Sequence, residues 1–206
     1  MHSAERRAAI LGEAVRLFAE RGFRGTTTRE LAAAVGVSEP VLYEHFRTKR
    51  ELYEAIVELK AGEGHERFSQ LIAAHEDGDD DQVFFENLAE KVLEFYASNP
   101  DYVRLLMFSA LESHEAGEIF HLRHREAVLR PLSGYIERRM RQGAIRKGDA
   151  VVAARAFIGL VAHFGLYGVL FPGSLPKMER KDLARELVKT FLRGAAADAK
   201  PRKQKR

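Results

Sequence analysis

Apolar residues recur at three- and four-residue spacing along most of the chain, and alternating, strand-like runs are hard to find. The pattern predicts an all-α protein of about nine helices. In the first, residues 4–21, Ile10, Leu11, Ala14, Leu17 and Phe18 share one face, and Gly22 stands where the helix should end. After a short loop, Thr27 is followed three residues later by Glu30, a capping box that opens a second, brief helix with Leu31, Ala32 and Val35 inward and Gly36 closing it. Ser38 is placed to accept from the first amides of a third helix, residues 39–46, which tolerates Pro40 in its first turn and points Leu42 and Phe46 inward. Thr48 and Glu51 form a second capping box at the start of a longer fourth helix reaching about residue 73. Three helices within fifty residues, with a glycine turn between the second and third, make a helix-turn-helix arrangement.

The rest reads as a larger helical body. An acidic run, residues 76–81, breaks the pattern and is expected to be a solvated linker. Phe84, Phe85, Leu88, Val92, Phe95 and Tyr96 make the apolar stripe of a fifth helix, and Asn99-Pro100 opens a sixth, to about residue 112. A seventh, residues 116–142, should carry Ile119, Leu122, Leu129, Leu132, Ile136 and Met140 inward. Asp149 is a cap for an eighth, to about residue 171, that is apolar almost all round. Pro172, Gly173 and Pro176 separate it from a ninth containing Leu183, Leu187, Val188, Phe191 and Leu192. The expected organisation is a helix-turn-helix head at 1–50, a larger helical body at 51–196 joined by the fourth helix, and a basic, disordered tail at 197–206.

Composition narrows the chemistry. The 206 residues are 46% hydrophobic and 31% charged, an ordinary globular balance, and contain no cysteine, which excludes disulfides, a thiol nucleophile and cysteine-bound metal. The opening residues develop no apolar signal run, so the expected location is the cytoplasm. The net charge of +3 hides a segregation: residues 1–50 hold 9 Lys/Arg and 6 Asp/Glu, residues 51–128 hold 6 and 18, and residues 129–206 hold 18 and 6. The acidic middle would repel phosphate, so any nucleic acid should meet the N-terminal end.

The third helix then becomes the informative element, because a helix entering a major groove needs its first side chains free for base edges and its flanks free for phosphate. With Leu42 and Phe46 inward, Glu39, Pro40, Val41, Tyr43, Glu44 and His45 are left outward or at the flanks. Tyr43 and His45 can donate to phosphate; Thr27, Thr28 and Arg29 add hydroxyls and a cation at the start of the second helix, and Lys49 does the same at the fourth. The alternative is that these are ordinary solvated helix residues. The string from Phe23 to Leu52, with the Gly-x-x-x-Thr-Thr opening that begins at Gly22 and the pieces Leu-Ala-Ala-Ala-Val-Gly-Val-Ser, Leu-Tyr-Glu-His-Phe and Lys-Arg-Glu-Leu in register, closely resembles the TetR family of one-component transcriptional regulators. The resemblance implies a homodimer with a DNA-binding head and a ligand-binding, dimerising body. It also implies that Thr28, Arg29, Glu39, Pro40, Val41, Tyr43, His45 and Lys49 touch DNA; Thr27 and Ser38 are counted with them. Pro40-Val41 departs from the Gly-Thr or Gly-Ala of many members, and Val41 offers only methyls, suited to a thymine methyl. Glu39 either accepts from a cytosine amino group or is a helix-start carboxylate.

The body supplies more aromatic surface than a small core requires, so a pocket for an apolar or aromatic effector is expected. Its candidate lining is Phe85, Leu88, Tyr96, Tyr102, Leu106, Phe108, Phe120, His121, Phe157, His163, Phe164 and Tyr167. The run from Val151 to Phe171 is long enough for a membrane span, but Arg155 and His163 favour a buried helix. Its small residues, with the ninth helix, suit a four-helix interface between two subunits; packing within one chain has the same need. Gly62 and Gly64 are expected to form a pliable joint in the fourth helix. No catalytic string is present, and no cofactor is expected. Glu118 and His121 leave open one alternative from another class, a metal-binding helical-bundle enzyme, which lacks the second Glu-x-x-His that such a site needs. A repressor released by its ligand is the expected function, with an activator or a co-repressor-dependent regulator as the alternative.

Overall fold

The computed structural model of the chain describes residues 3–73, 80–112, 122 and 128–193. Among them are nine helices and no strand: α1 (Ser3–Arg21), α2 (Thr28–Val35), α3 (Glu39–His45), α4 (Lys49–Ala73), α5 (Asp81–Ser98), α6 (Pro100–Glu112), α7 (Arg130–Arg141), α8 (Ala150–Leu170) and α9 (Arg180–Arg193). The all-α expectation holds. Glu118, Ile119, Phe120 and His121, in the first half of the expected seventh helix, lie outside the described residues, as does the tail. Leu122, expected inward, is exposed.

The periodic apolar faces of the first four helices meet in one core. Ile10, Leu11, Ala14, Leu17 and Phe18 pack with Leu31 and Ala32 of α2, Leu42 of α3 with its neighbour Phe46, and Leu52, Tyr53, Ile56 and Val57 of α4. Three residues of a distant helix complete this cluster: Tyr102, Leu105 and Leu106 of α6. Burying side chains of this size stabilises by roughly 1.5–3 kcal/mol each, and among the described helices α1 and α6 share the most extensive contact. The head is thus a spatial unit that borrows from the body. Meanwhile α4 runs helical through Gly62 and Gly64 without a break.

Two glycines shape the head. At Gly25 the chain passes so close over α1 that a Cβ would meet the Arg21 carbonyl oxygen. Gly36, at φ 74°, takes the left-handed conformation that lets the chain leave α2, with Gly36 and Val37 amides returning to the Ala33 and Ala32 carbonyls. Thr26 is the buried polar residue of this loop, and its hydroxyl donates to the Gly22 carbonyl at 2.9 Å.

The body core gathers Phe84, Phe85 and Leu88 of α5, Leu132, Tyr135 and Ile136 of α7, Ala154, Phe157 and Val161 of α8, and Ala184, Leu187 and Val188 of α9. Its aromatic rings pack directly: Phe84 stacks on Tyr135 at 3.7 Å between centroids, and Phe85, Phe157 and Phe191 form an edge-on trio at 4.8–5.2 Å. Where α5 crosses α8, Gly165 lies against Tyr96; a Cβ there would sit 2.6 Å from Tyr96 Cγ. The end of the acidic run is no solvated linker. Asp80 caps α5 through the Gln82 and Val83 amides, and Asp81 is paired with Arg139 and Tyr135. Asp149 caps α8 as its sequence position predicts.

Candidate nucleic-acid interface

The anchoring of α3 sets what it can present. Leu42 and Phe46 are each 2% exposed, whereas Tyr43 is 44% exposed. Pro40 and Glu44 are also exposed, and Glu39, Val41 and His45 are half-buried. The Arg7 guanidinium lies over the Phe46 ring at 4.7 Å, bracing the inward side of this short helix from α1. Ser38 occupies the cap position in an extended conformation, but its side chain makes no capping bond. Pro40, the second helical residue, removes one of the two amides such a side chain can reach.

The amino end of α2 lies beside α3. Thr27 and Glu30 form the capping box, with the Glu30 amide donating to Thr27 Oγ1 at 3.2 Å and the Thr27 amide to Glu30 Oε2 at 2.8 Å. The Thr27 amide and hydroxyl hold the Glu30 carboxyl below its ordinary range. Arg21 also binds Glu30, at 2.8 Å, fastening the end of α1 to α2. Thr28 reaches across to α3: its hydroxyl donates to Glu39 Oε1 at 3.1 Å and accepts from the Tyr43 hydroxyl at 3.3 Å. Arg29 is exposed.

Lys49 is tied within the head. Its ammonium donates to the Phe23 and Thr26 carbonyls at 2.7 and 2.9 Å and sits 4.4 Å from the Phe23 ring centre, so it pins the loop before α2 to the start of α4. Nothing local in the sequence signals a tie spanning more than twenty residues. Of the ten residues expected at DNA, Thr28, Glu39 and Tyr43 are joined to one another, Arg29, Ser38 and Pro40 are exposed, and Val41 and His45 are half-buried on α3. Thr27 and Lys49 are engaged within the head. Arg47, just past α3, is a further exposed cation that was not among the residues expected at DNA.

The described residues among those expected to line one effector pocket divide between two clusters. Phe85, Leu88 and Phe157 are buried in the body core, with Phe164 packed at its edge, while Tyr102 and Leu106 belong to the head cluster. Tyr96 is half-buried at the α5–α8 crossing, and burial raises its phenol above the ordinary value. Phe108 is exposed. His163 and Tyr167 face outward from α8, because its inward positions are Ala154, Phe157, Ile158, Val161, Gly165 and Val169. Phe120 and His121 lie outside the described residues, as does Glu118. Among the described residues no group of three or more His, Asp or Glu is placed to hold a metal.

That outward face of α8 is largely apolar. Val151, Val152, Ala156, Gly159, Tyr167, Leu170 and Phe171 are exposed along it, with the charged Arg155 and the imidazole of His163 among them, and His163, Tyr167 and Phe171 stack in sequence at 4.3 and 5.2 Å. The helix is long and apolar enough to cross a membrane, and 28% of its most apolar stretch is buried within the chain.

A three-helix head presenting one exposed short helix, carried on an all-helical body, defines a helix-turn-helix DNA-binding regulator. Residues 10–56 match the bacterial regulatory proteins of the tetR family, and residues 86–194 match the C-terminal domain of AefR-like transcriptional repressors. The chain is 33% identical over 144 residues to the nucleoid occlusion factor SlmA of Marinobacter nauticus, covering 69% of this chain and 70% of that one. It is 45% identical over 56 residues to the class A tetracycline repressor of Escherichia coli, covering 27% of this chain and 26% of the repressor. The fold is shared with the regulator FadR of Bacillus subtilis in complex with stearoyl-CoA, at a TM-score of 0.77 and 17% identity over 92% of this chain and 99% of that one. The chain belongs to the TetR family of transcriptional regulators. This membership gives the metal-enzyme alternative no support.

Proposed function

We propose that the protein is a cytoplasmic, dimeric repressor that places the α3 helices of two subunits in successive major grooves of a near-palindromic operator, about 34–36 Å apart, and leaves it when a small apolar molecule binds the body. The observation that carries the reading is α3 itself: its apolar side is fully anchored, and Tyr43, Pro40 and Glu39 are left beside the hydroxyl and cation of Thr28 and Arg29. The match of the C-terminal residues to AefR-like repressors favours repression over activation.

The outward face of α8 supports dimerisation. An exposed apolar strip on the most apolar helix of a chain marks a protein contact, and α9 beside it supplies the second helix of a four-helix interface. For the effector, Phe85, Leu88 and Phe157 already fill the core, so contacts fall to the half-buried rim at Tyr96 and Phe164 and to exposed Phe108. The B. subtilis complex makes a long acyl thioester the first probe.

An electrophoretic shift with operator-containing DNA, titrated with salt and then with stearoyl-CoA, tests the reading. Affinity should fall steeply with salt, as phosphate contacts demand, and the acyl thioester should release the DNA. Binding that is insensitive to salt removes the assignment of α2 and α3 as the gripping surface.

A further inference from the structure

Glu39 places a negative charge on the surface that is to meet a polyanion, which lowers affinity unless the carboxylate has a task. Among the described residues no cation neutralises it. Its partner is the Thr28 hydroxyl, donating to Oε1 at 3.1 Å, and the Thr28 oxygen accepts in turn from Tyr43 at 3.3 Å. These side chains from two helices form a short relay in which each hydroxyl donates once, and the relay ends on the carboxylate. Oε2 has no partner among the described residues. The task of a plain helix-start carboxylate is poorly matched here: α3 has seven residues, and Pro40 has already removed one of its first amides.

Resting on the DNA-binding reading above, we infer that Glu39 is the specificity-determining residue of α3, with Thr28 as its positioning residue, and that it selects a cytosine in each half-site. An ionised carboxylate only accepts hydrogen bonds. In the major groove guanine shows it two acceptors and thymine one, so both repel it. Adenine offers its N6 amino group next to the N7 acceptor, an edge that suits an amide. Cytosine alone presents an amino donor, N4, with no acceptor on the same base edge. Fixing Oε1 on Thr28 leaves Oε2 for that contact and spares the side chain part of its ordering cost.

The test is selection of operator half-sites from a randomised duplex library by the full-length protein, comparing wild type, Glu39→Gln and Thr28→Val. Wild type should enrich cytosine at one position per half-site by about tenfold over the other bases. Glu39→Gln should shift that same position to adenine, because a carboxamide can donate to N7 while accepting from N6. Thr28→Val should retain cytosine there with severalfold weaker discrimination. Affinity of Glu39→Gln for nonspecific DNA at low salt should match or exceed wild type, since one negative charge is gone, and this separates a changed reader from an unfolded one. If Glu39→Gln and wild type enrich the same base at every position, or if the position that changes is not cytosine in wild type, the inference is overturned. A wild-type protein that enriches no sequence overturns the DNA-binding reading itself.

Discussion

Asp81, the first residue of α5, accepts from Arg139 of α7 at 2.7 and 3.2 Å through both carboxylate oxygens, and from the Tyr135 hydroxyl at 2.9 Å. Both charged side chains are at most 15% exposed. Removing one partner of such a pair leaves a nearly buried charge uncompensated, at a cost of about 3–5 kcal/mol. Asp81→Asn should therefore lower unfolding stability by about 3 kcal/mol in urea, measured at fixed protein concentration because the stability of the proposed dimer would depend on it. A loss below about 1 kcal/mol would class the pair with exposed ones.

The same cluster sets an alkaline limit. Burial, and then the bond to Asp81, raises the Tyr135 phenol well above its ordinary 10.0. A group whose folded pKa is raised contributes stability that is complete below the unfolded value and is lost as pH climbs beyond it. Stability should thus decline from about pH 10 upward. Tyr135→Phe should start lower by about 1 kcal/mol for the lost hydrogen bond but show a shallower decline, read by circular dichroism across that range.

Gly165→Ala should destabilise by about 1–3 kcal/mol, since its methyl would strike the root of the Tyr96 ring, which cannot swing aside as a flexible chain end would. Chemical denaturation checks this. A neutral result would mean that α5 and α8 can separate at their crossing without penalty.

Val152→Glu combined with Tyr167→Glu should yield monomers in sedimentation while leaving the helical content intact, because both side chains are exposed on the outward strip of α8. Dimers that persist at micromolar concentration would move the subunit interface elsewhere.

Lys49 and Arg29 should part company in salt titrations. Loss of a direct phosphate contact lowers the salt slope by about one, which is the outcome expected for Arg29→Ala. Lys49→Met should weaken binding on all sequences with a smaller slope change, since its ammonium is held by the Phe23 and Thr26 carbonyls.

What the sequence made legible were the features governed by near neighbours. The Thr27–Glu30 capping box, the Asp149 cap, the Gly36 turn and the Leu42/Phe46 anchor all rest on residues within four positions of one another, where periodicity and capping chemistry decide the outcome. Contacts across long stretches of chain were hidden. Asp81 reads as solvated until Arg139 folds against it, and Lys49 reads as a surface cation until the loop carbonyls converge on it. The body's aromatic residues were hard to place for a related reason: spacing along α5 and α8 cannot tell which rings face the core and which, like His163 and Tyr167, turn away from it.

Because Tyr102, Leu105 and Leu106 are built into the head, the chain's reading end and its sensing end are not separable goods. A fragment ending near residue 58 would bare the apolar flank of α1 to water and should clump or unravel rather than read DNA. The same graft is a second link between body and head beside α4, because α6 packs straight onto α1.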